Sequence, residues 1–170
     1  MRTTLMRPRT PAPTVVPMIS PVMSLLQAVA RDGAQLIPGT TGCGITLMAS
    51  DGRRITSAGS DHVAERLTSL HDQHPNNPSA SAWAHRCVRR AQSSVTRAAW
   101  AGWMAHARRR GVRSVVTAPL CVADRRLGTV LLYSTTRNTF RREHDGALAA
   151  FAEAIAIGID HCQSEQSGTG

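Results

Sequence analysis

The sequence predicts an α+β layer fold, one antiparallel sheet with helices segregated by face. Three observations carry that reading. Two stretches rich in Val, Leu, Ile and Thr, residues 43–58 and 113–135, each read as a pair of strands joined by a turn. Amphipathic helical patterns lie before the first pair and after the second, and short helices separate the two. The order is helix, two strands, short helices, three strands, helix, with no internal repeat.

The first helix starts at Ser20-Pro21, an N-cap hydroxyl followed by proline at the first helical position. Val22, Leu25, Leu26, Val29 and Ile37 continue it at helical spacing to the Pro38-Gly39 stop. Residues 43–49 and 54–58 form a hairpin around Asp51-Gly52. A short helix over 61–70 runs into the irregular stretch 72–78. The next helix spans 80–91, with Ala80, Trp83, Ala84, Cys87, Val88 and Ala91 on one face and His85, Arg86, Arg89 and Arg90 on the other. A brief strand over 93–96 leads to a helix that turns Trp100, Trp103, Met104 and Ala107 inward and stops at Gly111. Residues 113–120 and 127–135 form the second hairpin across a turn at 123–126. The last helix covers 142–162, with Leu148, Phe151, Ile155 and Ile159 as its inward stripe.

The chain has 170 residues and a mass of 18.2 kDa, which suits one domain with its own core. Its composition sets Pro/Arg-rich residues 1–20 apart as a disordered tail, 21–162 as the folded domain and 163–170 as a flexible end. No apolar run reaches the roughly 20 residues of a membrane span. A secretory signal is disfavoured, because Pro17, Pro21 and Ser24 interrupt its apolar region and the Ala28-Val29-Ala30 cleavage-like triplet falls inside a good helix. The cysteines, Cys43, Cys87, Cys121 and Cys162, form no CxxC pair, so neither a disulfide framework nor a zinc site is indicated and a reducing, cytoplasmic setting is expected.

The residues at the joints of these elements resemble a GAF domain, particularly the actinobacterial kind often fused to an ANTAR segment. They are Gly42-Cys43-Gly44-Ile45-Thr46-Leu47, Asp51-Gly52-Arg53, Trp100-Ala101-Gly102-Trp103 and Gly111-Val112-Arg113-Ser114. Ala118-Pro119-Leu120, Leu127-Gly128 before Leu131-Leu132-Tyr133-Ser134, and Phe140 ahead of Glu143 and Asp145 complete the set. The resemblance covers about residues 22–161 and implies a sheet of five to six strands. The N- and C-terminal helices would lie on one face, and short helices and loops on the other. Asn77-Pro78-Ser79 stands where the family commonly has Gly-Pro-Cys, and no ANTAR segment follows the last helix in this sequence.

That resemblance implies a stand-alone, non-enzymatic sensory or regulatory module. It would bind a small ligand or a regulatory protein, act as a homodimer, and signal through the seam of its terminal helices. Trp83, Trp100 and Trp103 are the expected walls of a ligand cavity suited to a flat or apolar molecule, with Ser79 and Thr117 as polar contacts. Strand alternation points either Thr46 and Met48 or Ile45 and Leu47 into it. The identity of any cofactor stays open, and no residue set suggests a metal. Two other functions compete. Residues 73–123 contain no acid and hold Arg86, Arg89, Arg90, Arg97, Arg108, Arg109, Arg110 and Arg113, so they carry +8 of the formal +9. Such a surface would draw an acidic protein or nucleic acid, although arginines on solvated helix faces give the same pattern. The third reading is a thiol-based methionine sulfoxide reductase, which Ser79 disfavours by standing where a cysteine is expected. No GxSxG, Walker or HExxH motif supports other catalysis.

Overall fold

Strand β1, Gly42–Met48, is buried at all seven positions, because it is paired along both edges and covered on both faces. The structure, a computed structural model, describes residues 21–92, 94 and 97–168. Helix α1 is Pro21–Gly33, and β1 is followed by β2, Arg54–Gly59. Helices α2, His62–Ser69, and α3, Pro78–His85, precede the short strand β3, Arg89–Gln92. A 3-10 turn at Ala98–Trp100 enters α4, Ala101–Arg109, and then come β4, Ser114–Val122, and β5, Arg125–Ser134. A second 3-10 turn, Arg142–His144, opens α5, Asp145–Ser167. The five strands lie in the order β2-β1-β5-β4-β3, and every pair is antiparallel.

Alternation along the strands sorts side chains onto two faces. Cys43, Ile45 and Leu47 of β1 join Val116, Ala118, Leu120, Val130 and Leu132 against Leu26 and Ala30 of α1 and Leu148, Ile155 and Ile159 of α5. On the other face, Ala91, Val115, Leu131 and Tyr133 meet Ala64 and Leu67 of α2 and Trp103, Met104 and Ala107 of α4. The α+β architecture with its terminal helices on one face is thus the observed one, with five strands.

Several boundaries differ from expectation. The helix anticipated over 80–91 ends at His85, where Arg86 takes a left-handed conformation (φ 52°) as its C-cap. The chain then turns into β3, whose backbone pairs with the free edge of β4 from Arg89 opposite Thr117 to Gln92 opposite Ser114. Pairing of an open strand edge overrides helical spacing here, and Ala91 is buried on a strand rather than a helix. The strand expected over 93–96 therefore lies earlier, and Ser93, Val95 and Thr96 fall outside the described residues. Helix α1 stops at Gly33, before the Pro38-Gly39 signal, and Ile37 is buried from the following turns. Helix α5 continues through Ser167 instead of ending at 162. The Ser20 cap and the tail over 1–20 lie outside the described residues, as do 169 and 170.

Candidate ligand cleft

The start of α3 is a local solution to an exposed helix end. Asn77 is extended (φ −145°, ψ 167°), and Pro78 occupies the first turn, where its missing N–H leaves no bond unmade. The Asn77 side-chain oxygen accepts the Ala80 N–H at 2.9 Å. Its amide nitrogen donates to the His74 carbonyl at 2.8 Å and lies 3.2 Å from His71 Nδ1. On the far side of the ring, His71 Nε2 is 3.0 Å from the Gly52 carbonyl oxygen. A carbonyl only accepts, so Nε2 carries the proton and Nδ1 accepts from Asn77. With His71 neutral, every member is satisfied. The network ties the β1–β2 turn, the loop 70–77 and α3 into one unit around a side chain only 2% exposed, Asn77.

Against this unit lies a cleft of about 490 Å³, bounded by Gly52, His71, Asn77, Trp83, Arg97 and Trp100. Gly52 has φ +85°, and a Cβ there would come within 3.1 Å of the six-membered ring of Trp83, so glycine serves both the turn and the indole. Both indoles carry an arginine: the Arg126 guanidinium lies 3.9 Å from the Trp83 ring centre and Arg97 5.3 Å from that of Trp100. Arg126 also donates to the carbonyls of Trp83 and Ala84 at the end of α3, each at 3.4 Å, where a cation is favoured.

The six side chains expected in the pocket separate. Trp83 and Trp100 line the cleft. Trp103 is 2% exposed within the apolar cluster under α4 and forms no wall. Ser79 and Thr117 are both buried and face each other, Oγ to Oγ1, at 3.3 Å between α3 and the sheet, so each satisfies the other. Met48 is buried and lines a neighbouring cleft, again with Trp83. Ile45 and Leu47 belong to the α1/α5 cluster, which turns Thr46 and Met48 toward the short helices. Periodicity carried no sign of Gly52, His71 or Arg126. Asn77-Pro78, read from sequence as an altered landmark, is the helix-start signal that would have revealed the cap.

The expected arginine surface is also divided. Arg86 donates to the Asp124 carbonyl. Arg89 and Arg90 alternate on β3 rather than sharing a helix face, and Arg90 pairs with Asp145 at the start of α5. Arg108, Arg109, Arg110 and Arg113 gather where α4 passes to β4, with no carboxylate partner among the described residues. There Arg109 donates to His106 Nδ1 at 2.8 Å and Arg110 to the His106 carbonyl at 3.1 Å. The His74 and His106 rings lie 4.9 Å apart. Reduced hydration, together with Arg109, His74, Arg110 and Arg66, holds the His106 imidazole below its usual range.

Among the thiols, burial first and the Asp61 carboxylate second push Cys43 up to about 12, which leaves it inert. Cys87 and Cys121 are half-buried on a third, smaller cleft away from Ser79. Among the described residues no group of three or more His, Cys, Asp or Glu is placed to hold a metal ion, and no helix is long and apolar enough to cross a membrane.

The family model for the GAF domain matches residues 21–160. No curated protein matches the chain. Among solved structures, the chain is 18% identical to the second GAF domain of DevS from Mycobacterium smegmatis, covering 86% of this chain and 98% of that one at a TM-score of 0.59. A GAF domain/HD domain protein from Geobacter sulfurreducens is 13% identical over 85% of this chain and 95% of its own, at 0.63. A type II free methionine-R-sulfoxide reductase from Thermoplasma acidophilum is 14% identical over 82% and 93%, at 0.58.

Proposed function

The chain belongs to the GAF domain family, and from that premise we propose that it is a non-catalytic sensory module whose ligand enters the cleft between Trp83 and Trp100. The single observation behind this reading is a pair of indoles, each carrying an arginine, beside the fully satisfied His71–Asn77 network. Such a cleft suits a flat ring bearing a hydrogen-bonding or anionic group. Binding there shifts α3 and the loop 70–77, and the sheet passes the change to α1 and α5. Those two helices form the seam of a homodimer. Ala150, Ala154 and Ile157, the last 55% exposed, run along the outward side of α5. The module works in the cytoplasm on a small molecule or regulatory protein.

A thermal-shift panel of purine nucleotides, flavin and haem tests the idea. A ligand at 100 times its Kd adds about 2.7 kcal/mol of stability. The shift should vanish in Trp100→Ala and shrink in Ala99→Glu, which places a charge in the cleft. A shift unaltered in both variants, or none across the panel, overturns it.

A second reading rests on a separate observation, the absence of carboxylate partners around Arg108, Arg109, Arg110 and Arg113 among the described residues. An acidic protein or nucleic acid docked there would give salt-dependent retention on heparin, lost when Arg108, Arg109 and Arg110 are changed together to Glu. Retention unchanged by that triple substitution excludes it.

A further inference from the structure

The geometry points to a second binding site, on a different cleft from the one above, for a small organic anion with an apolar body and a carboxylate head. This site lies at the end of the sheet where the two hairpin turns, the end of α3 and the C-terminal half of α5 meet. It is a cleft of about 440 Å³ whose apolar walls are Met48, Ile55, Trp83 and Leu127 and whose mouth carries Arg86 and Arg126.

Ile55 is the residue that shapes it. Leu47 pairs with Thr56 and Met48 with Arg54, so Ile55 is the extra residue of a β-bulge in an edge strand. The bulge turns its side chain outward, 66% exposed, the most exposed large apolar side chain among the described residues. An isolated exposed isoleucine is ordinary. Here it shares a cleft with half-buried Trp83 above a floor of buried Met48 and Leu127, so its exposed apolar surface is part of a recess rather than an isolated patch.

The charges at the mouth select the head group. Three guanidiniums, Arg86, Arg125 and Arg126, face two carboxylates, Asp124 and Asp160, leaving one positive charge. Arg125 is paired with Asp160 on α5. The Arg86 guanidinium donates to the Asp124 carbonyl oxygen, and that of Arg126 to the carbonyls that end α3, through Nη1. Neither has a carboxylate partner among the described residues. A guanidinium offers five donors in a rigid fork, so most of those of Arg126 remain available on a group already fixed by stacking on Trp83. One net charge and two adjacent acids favour a monoanion over a polyanion. The apolar walls favour a body of several carbons over a bare inorganic ion.

The position gives the site a consequence. Gln163 and the Arg125–Asp160 pair put α5 at its rim, and Trp83 is a wall of both clefts. An anion bound here touches the long terminal helix and the other cleft at once, the arrangement that lets two ligands change each other's affinity.

Isothermal titration of the full chain with decanoate, decanol and acetate separates the contributions of head and body. Decanoate should bind saturably with a Kd below about 1 mM, at least tenfold (about 1.4 kcal/mol) tighter than decanol, while acetate gives no saturable binding. Ile55→Ser and Arg86→Gln alter exposed side chains, and each should weaken decanoate severalfold while the melting temperature stays within a degree or two of the unaltered chain. Ala99→Glu, in the other cleft, should leave decanoate binding unchanged, so this site can fail or stand independently of the proposed ligand cleft. Equal affinity for decanoate and decanol would reduce the cleft to a patch without charge selection. Binding unaltered by both Ile55→Ser and Arg86→Gln would place the anion elsewhere, and no saturable decanoate binding would remove the site.

Discussion

The two faces of the sheet are built on different principles. The face under α1 and α5 is a continuous apolar layer in which Leu26, Leu132, Leu148 and Ile159 are wholly buried. The opposite face combines a smaller apolar cluster with buried, hydrogen-bonded polar groups: Asn77, Ser79 and Thr117 are all under 9% exposed. One face is held by area removed from water, which is tolerant of geometry. The other depends on hydrogen bonds that must each find a partner. The cleft between Trp83 and Trp100 opens beside the elements of the second face, the other cleft reaches round to α5 at Gln163, and the helices proposed to relay the signal lie on the first. Rigid packing at the back and replaceable polar contacts at the front suit a module that recognises on one side and transmits on the other.

The largest effect that tests this comparison is removal of apolar volume from the back face. Leu132→Ala and Leu148→Ala should each cost about 2–5 kcal/mol, because the side chains sit in close-packed surroundings that relax only partly. Urea unfolding gives the number. Costs below about 1 kcal/mol at both positions would mean the layer is not close-packed, and the contrast between the faces would collapse.

On the front face, Asn77→Ala removes a helix cap and two further hydrogen bonds, with an expected cost of about 1–2 kcal/mol. The more specific expectation is where the loss appears. Hydrogen exchange should quicken in α3 and the loop 70–77 while β1, β4 and β5 keep their protection. Uniform quickening would show that the network is not a local unit. Tyr133→Phe is a milder probe of the same face. The Tyr133 hydroxyl donates to the Asp61 carboxylate at 3.0 Å, and burial, then Asp61, raises its pKa so that it stays a donor. Because Asp61 keeps its cap bond to the Ala64 N–H, about 1 kcal/mol is expected from equilibrium unfolding.

The same difference explains which parts of the molecule could be read from the sequence. The back face follows periodicity: the stripe Leu148, Ile155, Ile159 and the alternation of β4 and β5 are one-dimensional patterns with a direct structural meaning. The front face depends on contacts between turns, which leave no period. His71 meets Gly52 and Asn77 across loops, and nothing in the spacing of these residues announces it. Trp83, Cys87 and Ala91 are spaced as a helix, yet the open edge of β4 takes residues from Arg89 onward into a strand. That switch also undid the reading of Arg86, Arg89 and Arg90 as one solvated helix face. The indoles show the limit of residue type alone: Trp100 and Trp103, three apart, are both buried in one apolar cluster, yet Trp100 also borders the cleft and Trp103 does not.

The smallest expected effect concerns the ion pair that fastens β2 to the loop bearing His71. Arg54 donates to Asp72 through Nε and Nη2. The hydrogen bond from Arg54 is the main cause holding the Asp72 carboxyl below its ordinary 3.8, against a smaller opposing loss of hydration. A carboxylate whose folded pKa is depressed stabilises the fold above the unfolded value, and that contribution fades as pH falls below 3.8 toward the folded value. Both partners are partly in solvent, at 26% and 49% side-chain exposure, so screening limits the contribution near neutral pH to under about 1 kcal/mol. Arg54→Gln should therefore cost little near neutral pH and flatten the acid limb of the stability curve below pH 4, measured by urea unfolding across pH. If the acid limb keeps its slope in Arg54→Gln, acid sensitivity arises from other groups and the loop is fastened by its neutral hydrogen bonds alone. That outcome would move the weight on the front face onto Asn77 and His71.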